Sequence, residues 1–288
     1  MEQNGHTIRT KNTSGQKKWS LVLRLLVYAA AGLTVGTVVF LIGYILWQGI
    51  PYLNRSLFAW HYTTDNVSLM PAVWNTLFMI ALSLLFAVPV GVGSAVYLVE
   101  YAKRGSRLVE WIRLTAETLA GIPSIVYGLF GALFFVKALG WGLSLLSGAC
   151  TLAIMILPLI MRTTEEALKT VPDSYREGSF GLGAGRVRTI FEIILPAAMP
   201  GIASGIILSV GRIVGESAAL IFTAGTMAAI PESLFGSART LSVHMYCLYS
   251  EGLYMNQAAA TAVVLLLIVI AMNALSYLVM KKMTKGEK

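Results

Sequence analysis

The sequence predicts an all-α membrane protein with six transmembrane helices. Only 12% of its 288 residues are charged and 56% are hydrophobic, whereas a soluble domain carries about a quarter charged residues. Six apolar stretches are long enough to cross a ~30 Å hydrocarbon core, which takes roughly 20 helical residues. The basic residues also sort to alternate sides of those stretches. Helices follow because backbone facing lipid must satisfy its own hydrogen bonds.

A polar tail, residues 1–20, precedes the first span at 25–47. The apolar core of that span exceeds the roughly 7–15 residues of a signal-peptide core, and no cleavage site follows, so it is read as a retained helix. An outer loop then runs to Pro71, closing a first region of residues 21–71. The core, 72–280, holds spans at 72–99, 118–136, 141–161, 197–223 and 258–280, and a second tail occupies 281–288. Trp47, Tyr52, Trp60, Trp74, Trp111 and Trp141 fall near the proposed ends, where amphipathic rings prefer to sit. Pro231, Tyr246, Tyr249 and Tyr254 lie in the last outer loop, which either meets a partner or covers the bilayer surface.

The formal charge of +8 invites a nucleic-acid reading, and its distribution answers it. Arg9, Lys11, Lys17, Lys18 and Arg24 share one side with Lys103, Arg104, Arg107 and Arg113. Arg162, Lys169, Arg176, Arg186 and Arg188 join them, as do Lys281, Lys282, Lys285 and Lys288. The opposite side holds only Arg55, Lys137 and Arg239, and Arg212 lies within a span. By the positive-inside rule both termini and the long middle loop are cytoplasmic. The excess charge is thus a topology signal, and no nucleic-acid partner is expected. Cys150 and Cys247 lie in different regions and imply no disulfide framework.

The middle loop, 162–196, is polar and rich in both charge signs. Thr164 with Glu165 and Glu166 reads as a helix start, and Asp173 or Ser174 as the cap of a second short helix after Pro172. Gly181, Gly183 and Gly185 permit a sharp turn. The phosphate-loop pattern is absent, and GLGAG follows a helix rather than a strand, so the glycines are read as a turn and not a nucleotide site.

Here the sequence resembles a known family. Glu177, Gly178 and Ser179, then Gly183, then Ile193, Ile194, Leu195 and Pro196 resemble the signature of binding-protein-dependent ABC importer permeases. That signature begins Glu-Ala-Ala, places a glycine four positions on and ends Ile-x-Leu-Pro. Gly178 and Ser179 stand where the family has alanines, and glycine lowers helix propensity by about 1 kcal/mol. ETLAGIPSIVYGLFG (117–131), the stretch 157–185 and GRIVGESAALIFTAG (211–225) resemble the phosphate-specific, PstA-type branch.

The resemblance implies the type I, MetI-like importer fold in a bacterial inner membrane. It implies a second homologous permease subunit, a cytoplasmic ATPase dimer and an extracytoplasmic phosphate-binding protein as partners. Tyr175, Glu177, Gly178, Ser179, Phe180, Leu182 and Gly183 would form the element seated on the ATPase. Glu177 would be its surface carboxylate, Phe180 or Leu182 its apolar anchor and Gly183 its turn. No cofactor is expected in this chain.

The charged residues inside VGRIVGESAAL are costly, at about 2.5–3.5 kcal/mol each near the bilayer centre. Arg212 lies roughly 22 Å along the fifth span, past the midplane and toward the outside. Four residues apart on one helix, Arg212 and Glu216 are expected to share a face and pair. With Gly205 and Ser209 they form a polar stripe suited to an anion path, the guanidinium offering paired hydrogen bonds to oxyanion oxygens. A purely structural ion pair is the alternative. Ser124, beside Gly121, Pro123 and Gly128 in a kinked helix, is a softer path candidate that packing also explains.

Two other classes compete. An ATP-independent anion transporter or channel shares the polar fifth span but has no need of the signature loop. A permease for another oxyanion shares both. An intramembrane enzyme is disfavoured: His6, His61 and His244 lie in the tail and outer loops, and neither a zinc motif nor a nucleophile with a base occurs in the spans.

Overall fold

A computed structural model describes residues 14–103 and 105–285. Arg9, Lys11, Arg104, Lys288 and His6 lie outside them. Every regular element among the described residues is helical. Two units divide the chain, Met1–Gln48 and Gly49–Lys288. The first contributes nearly all of one long apolar helix, α1 (Ser14–Gly49), which is long enough to cross a membrane.

In the second unit, α2 (Met70–Val96) continues through a π-helical turn to Tyr101, and α3 (Arg107–Ala120) follows. Next come α4 (Ser124–Gly131), prolonged by π turns to Ala138, and α5 (Leu145–Thr170). The loop holds α6 (Asp173–Gly181) and α7 (Arg186–Thr189), the latter running through Ile190–Ile194 into α8 (Leu195–Gly215). Short α9 (Ala218–Thr223), α10 (Leu241–Glu251) and α11 (Met255–Lys285) complete the chain. Among the described residues five helical runs are long and apolar enough to cross a membrane, and the predicted span at 118–136 corresponds to the bent pair α3 and α4.

Helix α5 is the centre of this unit. Leu152, Met155, Ile156 and Ile160 are almost wholly buried, with Met79 and Ala87 of α2 and Ile213 of α8 in the same cluster. Small residues set the spacing, as membrane interiors require. A Cβ added at Gly91 would meet Ile160 at 2.8 Å, and one at Gly128 would meet the Ala219 Cα at 2.8 Å, so α2–α5 and α4–α9 approach closely.

Several predicted boundaries are corrected. The span expected at 118–136 is broken, since α3 stops at Ala120 and α4 leaves at 102° to it. Pro123 has no N–H and drives the residue before it out of the helical region, so a mild kink becomes an elbow at 121–123. The fourth span begins at Leu145 and runs to Thr170, so Thr164 lies inside α5 and starts no helix. Helix α6 begins after Pro172 with no side-chain cap from Asp173 or Ser174. The fifth span ends as a helix at Gly215.

Candidate functional site

Arg212 occupies the last turn of α8, where a cation also suits the helix dipole. Helical side chains tilt toward the N-terminus of their helix, which for α8 is the loop side. The residue accordingly lines a cavity of about 400 Å³ beside α3 and the loop-side half of α5. The residue itself stands near the far end of the run Arg186–Gly215, while its side chain opens toward the loop side.

Four cations and three carboxylates line this cavity: Arg113, Arg162, Lys169 and Arg212 against Glu117, Glu165 and Glu166. Three of the cations are engaged. Glu165, nearly buried, takes Arg113 and Lys169 at 2.6 Å each on one oxygen. Arg162 lies 3.2 Å from Glu166 and 3.8 Å from Glu117. Arg212 forms no ion pair among the described residues. The cavity therefore presents one guanidinium whose fork is open to an anion.

Glu216 does not join it. The chain leaves the helix at this residue, in an extended conformation. Its carboxylate accepts the Ala219 N–H at 3.0 Å and caps α9, while its carbonyl accepts the Ser242 hydroxyl. The predicted Arg212–Glu216 pair is replaced by a cap, which gives a nearly buried carboxylate a hydrogen-bond partner. Gly215 and Ser217 flanking the acid are the sequence signal for this break, in a run otherwise read as one helix.

Ser209 is also separate from the cavity: it is fully buried, and its hydroxyl donates to the Gly205 carbonyl at 2.9 Å. Ser124 stands half-buried in the first turn of α4, outside the cavity lining. Of the four residues predicted for a substrate path, the cavity holds Arg212 alone.

The loop residues form a second constellation. Tyr175, Glu177, Phe180 and Leu182 are exposed, Leu182 to 91%. Helix α6 forms through Gly178 and Ser179, and the Ser179 hydroxyl bonds that of Thr189 at 2.8 Å, tying α6 to α7. Gly183 has φ of 82°, a left-handed turn that glycine adopts without strain.

Sequence reasoning missed the anchor beneath this face. Arg176 donates to Glu100 at the end of α2 (2.7 and 3.1 Å), to Asp173 at 3.1 Å, and to the carbonyls of Val171 and Leu168. Donation of its hydrogen bonds to Glu100, with the charge of that acid and of Asp173, pushes the guanidinium still further toward its charged form. A separation of 76 residues hides such a pair from local patterns.

At the opposite end, Arg239 is nearly buried with no carboxylate partner among the described residues. It donates to the Thr226 carbonyl at 2.9 Å, meets His244 Nδ1 at 3.3 Å and lies 5.3 Å from the Tyr62 ring centre. Burial, and then the charge of Arg239, push the His244 imidazole down to about 3.

Comparison with known proteins identifies relatives. The profile of the family described as binding-protein-dependent transport system inner membrane component matches residues 87–285. A probable ABC transporter permease protein, YqgI of Bacillus subtilis (strain 168), is 32% identical, covering 88% of this chain and 94% of that protein. The phosphate transport system permease protein PstA 1 of Mycobacterium tuberculosis (strain CDC 1551 / Oshkosh) is 39% identical, covering 61% of this chain and 57% of that one. Among solved structures, a bacterial alginate ABC transporter complexed with an alginate pentasaccharide-bound periplasmic protein is 19% identical. It aligns with a TM-score of 0.62, covering 92% of this chain and 96% of that one, a likeness of fold.

Proposed function

Because the chain belongs to the family of binding-protein-dependent transport system inner membrane components, we propose that it is the permease subunit of an ATP-driven importer of inorganic phosphate. The observation that carries the substrate class is the open guanidinium of Arg212 in a cavity with more cations than carboxylates. Phosphate at neutral pH carries more than one negative charge and accepts the paired hydrogen bonds of a guanidinium. The carboxylates of the cavity moderate that attraction, which a path needs if the anion is to leave. Relatives named as phosphate permeases support the same choice.

The chain forms half of a translocation path with a second homologous permease subunit, and an extracytoplasmic phosphate-binding protein delivers the anion. The exposed face of Tyr175, Glu177, Phe180 and Leu182 seats on a cytoplasmic ATPase dimer, which supplies the hydrolysis. Both termini and this face are then cytoplasmic, in agreement with the charge bias.

Reconstituted complex with and without this subunit is tested for phosphate uptake, with sulfate and molybdate as competitors. Arg212→Ala is expected to leave the complex assembled and to reduce uptake to background. Normal uptake by that variant removes the guanidinium from the path, and equal competition by sulfate replaces phosphate with a broader oxyanion class.

A further inference from the structure

A second basic region, outside the cavity and the loop's exposed apolar face, has no role in the reading above. The first run of α2 ends at Tyr101, and α3 begins at Arg107. The Ser106 N–H donates to the Lys103 carbonyl at 3.2 Å, and Gly105 has φ of 76°. A cleft of about 540 Å³ lies there, lined by Tyr97, Tyr101, Lys103 and Ser106 among others. Arg186, from the start of α7, places its guanidinium 5.3 Å from the centre of the ring of Tyr101, one of the residues that line the cleft.

The charge here is unbalanced. Lys103, Arg107 and Arg186 form no ion pair among the described residues. Glu100, the acid next to Tyr101, is taken by Arg176 at 2.7 Å. Glu110, one turn along α3 from Arg107, pairs with neither cation. By contrast Arg188, two residues beyond Arg186, is matched by Glu192 at 2.8 Å. A cleft lined by an unpaired lysine, with Arg107 next in sequence to its Ser106 wall and Arg186 against its Tyr101 wall, fits an anion.

Helix α3 supplies the apolar half of the argument. Val109, Ile112 and Ala116 pack inward on a buried cluster. Leu108, Trp111 and Leu114 stand on the surface, exposed to 56%, 67% and 55%. These three recur at intervals of three residues and make an apolar stripe beside the basic turn. An amphipathic helix of this kind lies in the membrane interface, its apolar side among acyl chains and its cations among headgroups. Tyr97 and Tyr101, at the end of a spanning helix, mark that depth.

We propose that this cleft binds the headgroup of an anionic phospholipid, with Lys103, Arg107 and Arg186 around its phosphate and the stripe of α3 along its acyl chains. The chemistry shared with a free phosphate ion is the phosphate group itself. The apolar stripe joined to the cations is what selects the lipid. The assignment concerns the surface of the protein and stands apart from the transported solute.

The test uses the full chain in phosphatidylcholine vesicles. These contain increasing fractions of brominated phosphatidylglycerol or brominated phosphatidylcholine, and the Trp111 signal is the difference between the wild type and Trp111→Phe. Brominated phosphatidylglycerol is expected to quench it at a lower mole fraction than brominated phosphatidylcholine. Lys103→Gln and Arg186→Gln are each expected to raise the half-quenching fraction roughly five-fold. The charge-conserving Lys103→Arg and Arg186→Lys are expected to keep the preference, which separates loss of charge from loss of fold, and Arg188→Gln to leave it unchanged. Equal quenching by the two lipids overturns the proposal. So does an equal loss in Arg188→Gln, which would mean diffuse attraction, and so does displacement by inorganic phosphate, which would make the cleft a site for the free ion.

Discussion

His244 lies in α10, outside the spanning helices, with Arg239 beside one ring nitrogen and the Tyr62 ring 6.0 Å away, edge-on. Burial first and Arg239 second hold its folded-state value near 3, against an ordinary 6.5. A depressed value means that the unfolded chain binds the proton more readily. Stability is therefore fully present above pH 6.5 and is lost as pH falls toward 3, by about 1.4 kcal/mol per unit within that window. Thermal scans of the purified protein between pH 4.5 and pH 7 are expected to show that slope, and His244→Gln to flatten it. An unchanged slope in the variant would assign the acid sensitivity to other groups. Nothing local in the sequence announces this pair. The polar character of residues 225–257 places them in an outer loop, whereas the burial of Arg239 depends on the return of Tyr62 from a loop far away in the chain.

At the level of elements, legibility follows from how far along the chain the deciding forces act. Apolar length is a local property, and the spans centred on α2, α5, α8 and α11 are plain in it. The elbow between α3 and α4 is visible in Gly121 and Pro123, but its 102° angle is not, since the packing of α3 on α5, where Arg113 meets Glu165, joins residues far apart in the chain. The end of α8 at Gly215 was hidden because the chain remains apolar through α9, so hydropathy continues where helical geometry stops. Helix α6 offers the sharpest test of local preference. A Cβ at Gly178 meets nothing within 4 Å, and the residue lies within the helix. Gly178→Ala is expected to stabilise α6 by about 0.5–1 kcal/mol, seen as slower amide exchange across Asp173–Gly181. Gly183→Ala, with φ of 82° in the native turn, is expected to act in the opposite sense by about 1–2 kcal/mol. Faster exchange in the first variant would mean that α6 needs the freedom of glycine.

Across the spanning unit as a whole, the loop face is tied to the membrane helices by the Ser179–Thr189 bond, by the unbroken run from α7 into α8, and by Arg176. It joins α6 to the end of α2 through Glu100, and both side chains are largely withdrawn from water, at 16% and 9% exposure. Its further bonds to the carbonyls of Leu168 and Val171 tie the same guanidinium to the end of α5. A force applied at Tyr175, Phe180 or Leu182 thus has in this one side chain a route to the ends of both α2 and α5. Arg176→Ala leaves Glu100 buried and unpaired, a loss of about 3–5 kcal/mol when one partner of such a pair is removed. The exposed residues Tyr175, Glu177, Phe180 and Leu182 are untouched by this change. The expected outcome is an ATPase subunit that still co-purifies with the complex and still hydrolyses ATP, while phosphate uptake per ATP falls at least ten-fold. Arg176→Lys keeps the charge but lacks the fork that reaches both Glu100 and the carbonyls, so an intermediate ratio is expected. Parallel loss of ATPase binding and uptake would reduce Arg176 to a folding role. Unchanged uptake per ATP would mean that another contact carries the motion from the loop to the helices.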